Sequence, residues 1–254
     1  MLSVDLNSVS IRDENERRII LKEIKFDVQA GRVYTILGKN GSGKSTLIKS
    51  LTALLPQEQY EVSGNVFFNG TNLLTTKNET LRTIRKNNIR YVLQDVSDSL
   101  DPLKKLKYYF NLSATEAENI EKQLKYFLLP SYTKLCGLHS YELSGGMAQR
   151  LLIVLALLAN PNIIILDEPT SGVDYAITNL ILLKLKEFIK EKDKSVLIVT
   201  QDINFALKSS NYIAYLSNGT LTKFLTPQKF LELKVEDEIK NFIQSYEEIN
   251  NASS

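Results

Sequence analysis

Gly38-Lys39-Asn40-Gly41-Ser42-Gly43-Lys44-Ser45-Thr46 holds two glycines with four residues between them, then lysine, then serine. This is the phosphate-loop spacing. Glycine lets the main chain turn its N–H groups toward an anion, and a helix starting at the same place adds its positive dipole end. A triphosphate suits such a loop. Lys44 would neutralise the β and γ phosphates, and the Ser45 hydroxyl would give one oxygen to a magnesium ion that keeps several waters. Further along, Asp167-Glu168 closes the apolar run Ile163 to Leu166. Burying two adjacent carboxylates without a cation is costly, so the pair itself points to a cation nearby. Asp167 would hold the magnesium's water shell, and Glu168 would take a proton from the attacking water.

These groups need rigid supports, and the flanking sequence supplies them. Val33 to Leu37 reads as a buried strand before the loop, and Thr46 to Leu55 as a helix after it. Ile89 to Leu93 is a second buried-type strand, stopping at Gln94. A third is Ile163 to Leu166, followed by a helix with the stripe Ile177, Leu180, Ile181, Leu185, Phe188 and Ile189. Val196 to Val199 is a fourth, ending at Thr200-Gln201-Asp202. Strand and helix alternate, which predicts a parallel sheet with helices on both faces.

Other stretches have a different rhythm. Residues 2 to 11 and 19 to 28 partly alternate apolar with polar, and Val62 to Gly70 does the same before an Asn-Gly turn. They predict a small antiparallel layer. Thr115 and Glu118 have capping-box spacing ahead of Ile120, Leu124, Phe127 and Leu128, which predicts a helical insertion. Leu143-Ser144-Gly145-Gly146 then opens another helix, where the Ser144 hydroxyl and free N–H groups can meet an anion. A hairpin around Ser217-Asn218-Gly219 and a helical tail after Thr226-Pro227 complete the pattern.

Composition narrows the function. The chain has 254 residues, of which 43% are apolar, enough for a sizeable core. Its 31 basic and 29 acidic residues leave a charge of +2, too little to attract nucleic acid. Clusters such as Arg82, Arg85, Lys86 and Lys104, Lys105, Lys107 read as solvated faces. No apolar run approaches a membrane span, and the start lacks a signal-peptide layout, so a cytosolic chain is expected. A single cysteine, Cys136, and a single histidine, His139, make neither a disulfide nor a good metal site.

Taken in order, the motifs resemble those of an ATP-binding cassette (ABC) transporter ATPase subunit. Gly38 to Ser45 is similar to the family's Walker A, Gln94 to its Q-loop glutamine, and Leu143 to Gly146 to its signature. Ile163 to Glu168 is similar to its Walker B, and Ser171-Gly172-Val173-Asp174 to its D-loop. Within the family the chain is most similar to oligopeptide and nickel importer ATPases, whose signature also continues with Met, here Met147. The resemblance implies an α/β P-loop NTPase (RecA-like) core with a parallel sheet, an N-terminal antiparallel β layer and a helical insertion subdomain. It implies one ATPase domain over residues 1–254, with the helical subdomain at about 97–150 and a C-terminal helical tail at about 225–254.

The resemblance also implies a site. Gly38, Asn40, Gly41, Ser42, Gly43, Lys44, Ser45 and Thr46 would bind ATP, with Ser144, Gly145, Gly146 and Asp174 contributing across a head-to-tail dimer. Ser45, Gln94 and Asp167 would serve Mg2+, and Glu168, Gln94 and Gln201 would act in catalysis. The partners implied are a second, different ABC ATPase subunit, two transmembrane permease subunits and an extracytoplasmic substrate-binding protein, at the cytoplasmic face of the membrane. No nucleic acid is implied. Two departures stand out: Gln201 occupies the place of the family's switch histidine, and Ile11 and Arg12 stand where an aromatic usually stacks on adenine. Gln201 carries no charge, so slow turnover at this site is expected. The alternative is a low-turnover regulatory subunit of a heteromeric complex.

Overall fold

The computed structural model describes residues 1–13, 16–93 and 99–233. Two sheets organise it. Strand β1 (Leu2–Asp13) pairs antiparallel with β2 (Glu16–Val28) and β4 (Tyr60–Phe68), and β4 turns through Asn69-Gly70 into β5 (Thr71–Asn72). This is the expected antiparallel layer.

The second sheet has the order β10-β9-β3-β8-β7-β6. Its members are β3 (Arg32–Leu37), β6 (Ile89–Val92), β7 (Ile163–Asp167), β8 (Ser195–Thr200), β9 (Tyr212–Ser217) and β10 (Thr220–Leu221). All neighbouring pairs run parallel except β9 with β10. After β3 the chain crosses to the far edge, lays down β6, returns inward through β7 and β8, and places β9 on the other side of β3. That reversal leaves a crevice at the carboxyl ends of β3, β8 and β7, where open α/β sheets bind ligands.

Alternation along the strands separates two cores. Ile163, Ile165, Leu197 and Val199 face one side, packed with α1 (Lys44–Leu51) and the antiparallel layer. Ile164, Leu166, Val196 and Ile198 face the other, packed with α6 (Gly145–Leu158) and α7 (Tyr175–Phe188). Burial on both faces explains why these strands read as unbroken apolar runs. Between β6 and α6 lie α3 (Leu106–Leu112), α4 (Ala117–Tyr126) and α5 (Tyr132–Cys136), the helical segment expected there.

Several local expectations are corrected. The N-cap of α4 is Glu116, with no side-chain cap, while the Thr115 hydroxyl donates to the carbonyls of Ser113 and Leu158. Thr115 thus ties the insertion to the end of α6 instead of closing a capping box. Leu128 lies past the helix in a left-handed conformation (φ 52°) and is exposed, whereas Ile120, Leu124 and Phe127 are buried. Arg85, on α2 (Asn78–Asn87), is no solvated charge: its guanidinium donates to the Thr52 and Ala53 carbonyls beyond α1, at 2.8 Å from Nε to Thr52. Helix α1 stops at Leu51, short of the expected Leu55, and Ala53 just beyond it takes a left-handed backbone (φ 50°). After α8 (Ile203–Ser209) and the β9–β10 turn, α9 (Pro227–Leu231) opens with Thr226 as its N-cap; the tail beyond 233 lies outside the described residues.

Candidate active site

The loop at 38–46 sits at the carboxyl end of β3 and enters α1 directly. Gly38 is required by space: a Cβ there would lie 2.7 Å from both the Leu216 carbonyl and Ser42 Oγ. Gly43 is required by conformation, since it caps α1 at φ 100°. Lys44 is buried, and its ammonium folds back to donate to the carbonyls of Gly38 (2.7 Å) and Lys39 (3.1 Å).

The Lys44 ammonium also lies 3.4 Å from Glu168 Oε1. That distance is an ion pair whose angles make no hydrogen bond, because Oε1 has no hydrogen-bond partner. The other oxygen, Oε2, accepts from the Thr200 hydroxyl at 2.7 Å and from the Gln201 main-chain N–H at 3.2 Å. Glu168 itself adopts φ 46°, a left-handed conformation unfavourable for a residue with a Cβ. Its N–H donates to the Val199 carbonyl, and its carbonyl accepts from Ser171.

Asp167, at the end of β7, is buried, and burial pushes its carboxyl above the usual range. Hydrogen bonding to Ser45 and the charges of Lys44 and Lys49 oppose that rise, while Glu168 reinforces it. The Tyr91 hydroxyl reaches Asp167 Oδ2 at 3.5 Å, and burial raises the phenol in turn. Asp167 Oδ1 and Ser42 Oγ are buried without hydrogen-bond partners. The orphaned buried oxygen of Asp167, a carboxylate beside the Ser45 hydroxyl, fits a hard cation such as magnesium, which takes oxygen ligands. Among the described residues no three His, Cys, Asp or Glu side chains cluster to hold a metal by themselves, so phosphate and water oxygens would complete its shell.

The comparisons agree with this geometry. The family model described as ABC transporter matches residues 21–171, more than half of the chain. The chain belongs to the ABC transporter ATP-binding family. The dipeptide transport ATP-binding protein DppD of Caldanaerobacter subterraneus subsp. tengcongensis is 33% identical over 261 residues, covering 96% of this chain and 80% of that protein. The metal-staphylopine import system ATP-binding protein CntD of Staphylococcus aureus is 27% identical over 259 residues, covering 98% of this chain and 95% of that protein. A dimeric ATP-binding cassette solved in a post-hydrolysis state with ADP and Pi superposes with a TM-score of 0.76 at 27% identity, covering 89% of this chain and 99% of its own. The expected fold class is thereby borne out, as is ATPase chemistry coupled to transport.

Within this ABC ATPase the motif residues fall into two groups. The phosphate loop, Asp167, Glu168 and Gln201 meet at the crevice, although Gln201 reaches Glu168 by its main chain while its side chain is exposed. Ser144, Gly145 and Gly146 open α6 elsewhere: the Ser144 hydroxyl accepts from the Met147 N–H at 3.3 Å, and a Cβ on Gly146 would lie 3.3 Å from the Gly172 carbonyl. No described hydrogen bond joins the signature to the phosphate loop of the same chain. Asp174 caps α7 by accepting from the Ile177 N–H at 2.9 Å. Gln94 lies outside the described residues.

Sequence reasoning missed Thr200 and Tyr91 as neighbours of the carboxylate pair. A polar residue at the carboxyl end of a buried strand was the available signal for Thr200. Arg12 lies 3.7 Å from Glu61 on β4, so its guanidinium is engaged within the antiparallel layer. A cleft of about 450 Å³ beside the loop is lined by Arg18, Ile19 and Ile20 of β2, by Lys39 to Ser42, and by the β9–β10 turn.

Proposed function

We propose that this chain binds MgATP at residues 38–46 and hydrolyses it to drive uptake of a peptide or a metal complex through partner permeases. The observation that carries the reading is the buried carboxylate pair Asp167 and Glu168, set against Lys44 and Ser45. Main-chain N–H groups of the loop and the start of α1 would hold the phosphates, and Lys44 would exchange its loop carbonyls for phosphate oxygens. Magnesium, held through Ser45, the water shell of Asp167 and Gln94, would neutralise charge developing on the transferred phosphoryl group. Glu168 is the base. A water oxygen bonds to the γ phosphorus, the bond to the β–γ bridging oxygen breaks, and the water's proton passes to Glu168, leaving ADP and phosphate.

The exposed N-terminus of α6, with Ser144, Gly145 and Gly146, supports a second half-site that closes on the γ phosphate bound by another cassette. Asp174 would lie at the same closure, while Thr46 would bind ATP with the rest of this chain's own phosphate loop. The partner is a different ABC ATPase paralogue arranged head to tail, with two permease subunits and an extracytoplasmic substrate-binding protein. The names of the peptide and metal-staphylopine relatives support that cargo class. Among the described residues no helix is long and apolar enough to cross a membrane. As the ATPase partner of the permeases, the chain would act peripherally, at the cytoplasmic face. Residues 1–254 form one ATPase domain, with the helical subdomain at about 97–150.

The test is reconstitution with permease and substrate-binding proteins encoded by neighbouring genes, where such genes are found. Hydrolysis should rise when the cargo-loaded binding protein is added. Glu168→Gln should retain ATP binding, lose most hydrolysis and accumulate an ATP-bound dimer. Wild-type rates from the variant, with the other site disabled, would remove Glu168 from the role of base; absent cargo stimulation would remove the importer reading.

A further inference from the structure

The end of β8 lies between the strand that delivers the phosphate loop and the strand that delivers the carboxylate pair. Register sets Asp167 opposite Val199, so the next residues, Glu168 and Thr200, emerge side by side at the crevice. We infer that Thr200 is the positioning residue for Glu168, holding the carboxylate through its buried hydroxyl while the Gln201 main chain supplies a second donor. This rests on Glu168 being the base.

Three features carry it. Thr200 is fully buried (0% exposed), and its hydroxyl lies 2.7 Å from Glu168 Oε2. That hydroxyl is itself oriented, because its oxygen accepts from the Asp202 N–H at 3.0 Å and so turns its proton toward the carboxylate. Both donors to the carboxylate converge on one oxygen, Oε2, which leaves Oε1 on the side of Lys44 without a hydrogen bond. One oxygen is anchored and the other is available to take the water's proton. The anchor uses the hydroxyl of residue 200 and the backbone of residue 201, so a glutamine at 201 leaves it intact. The left-handed backbone at Glu168, pinned by Val199 and Ser171, fixes the other end of the same side chain.

The experiment is a graded series in the assembled transporter: Thr200→Ser, Thr200→Cys and Thr200→Val, beside Glu168→Gln. Serine keeps the O–H donor, cysteine keeps a weak one, and valine removes it at similar size. With the base misaligned, kcat should fall on the order of a hundred-fold for valine, less for cysteine, and return with serine. The KM for ATP and the affinity for a fluorescent ATP analogue should stay near wild type, and the valine variant should accumulate ATP-bound dimer. Should valine fail to fold, the ordering of serine above cysteine decides. Equal kcat across the folded variants, or losses that track ATP affinity and melting temperature, would overturn the inference. Those results leave the base assignment standing as long as Glu168→Gln is inactive, whereas an active Glu168→Gln overturns both.

Discussion

Gln201 presents an exposed side chain next to the buried Lys44, Asp167 and Glu168. Its main chain donates to Glu168, and under the proposed function its side chain would meet the γ phosphate. A glutamine amide offers a neutral hydrogen bond there, while an imidazole can become cationic. One positioned transition-state donor is typically worth 10²–10³ in rate. Gln201→His should therefore raise single-site hydrolysis by up to about a hundred-fold, with ATP affinity unchanged. Single-turnover kinetics on a complex whose second site is disabled would show it, and an unchanged rate would mean that Gln201 already performs the histidine's role.

At the level of elements, the crevice depends on how β7 and β8 are locked at their amino ends. Lys194, just before β8, is buried, and its ammonium donates to the carbonyls of Asn160 (2.8 Å) and Pro161 (2.9 Å) in the turn between α6 and β7. Lys194→Met would leave both carbonyls without this donor, at a cost of about 1–3 kcal/mol. In a domain of this size that lowers Tm by roughly 2–4 °C per kcal/mol. Burial lowers the Lys194 pKa, so the unfolded chain binds the proton more readily than the fold does. The lysine's contribution is then largest above the unfolded value of about 10.4 and shrinks as pH falls through the folded value. Thermal melts of both proteins at neutral and alkaline pH should show the deficit widening with pH.

Across the whole molecule, no hydrogen bond among the described residues joins the signature to the phosphate loop, and Ser144 is exposed at the head of α6. Under the proposed function a second cassette would complete a site divided this way. Ser144→Arg should hardly change this chain's own ATP affinity, yet it should block hydrolysis at the partner's phosphate loop by at least tenfold, because a bulky cation replaces the small anion-facing cap. Assembling mutant and wild-type subunits separately into the complex distinguishes the cases. A defect confined to the mutant chain's own phosphate loop would rule out a shared site.

What the sequence determined by itself was local: the phosphate-loop spacing, the acidic pair ending an apolar run, and the alternation of buried strands with striped helices. Those signals are encoded within a few residues and survive any packing. Asn69-Gly70 and Asn218-Gly219 were legible for the same reason, since each pair takes positive φ in its turn. Tertiary structure decided what depends on strand order. Nothing near Thr200 in the chain announces Glu168; only the placement of β8 between β3 and β7 brings the hydroxyl to the carboxylate. Arg85 and Thr115 followed the same logic, because each reaches a helix-end carbonyl more than thirty residues away. A buried carbonyl needs a donor, and whichever polar side chain the fold brings within reach supplies it.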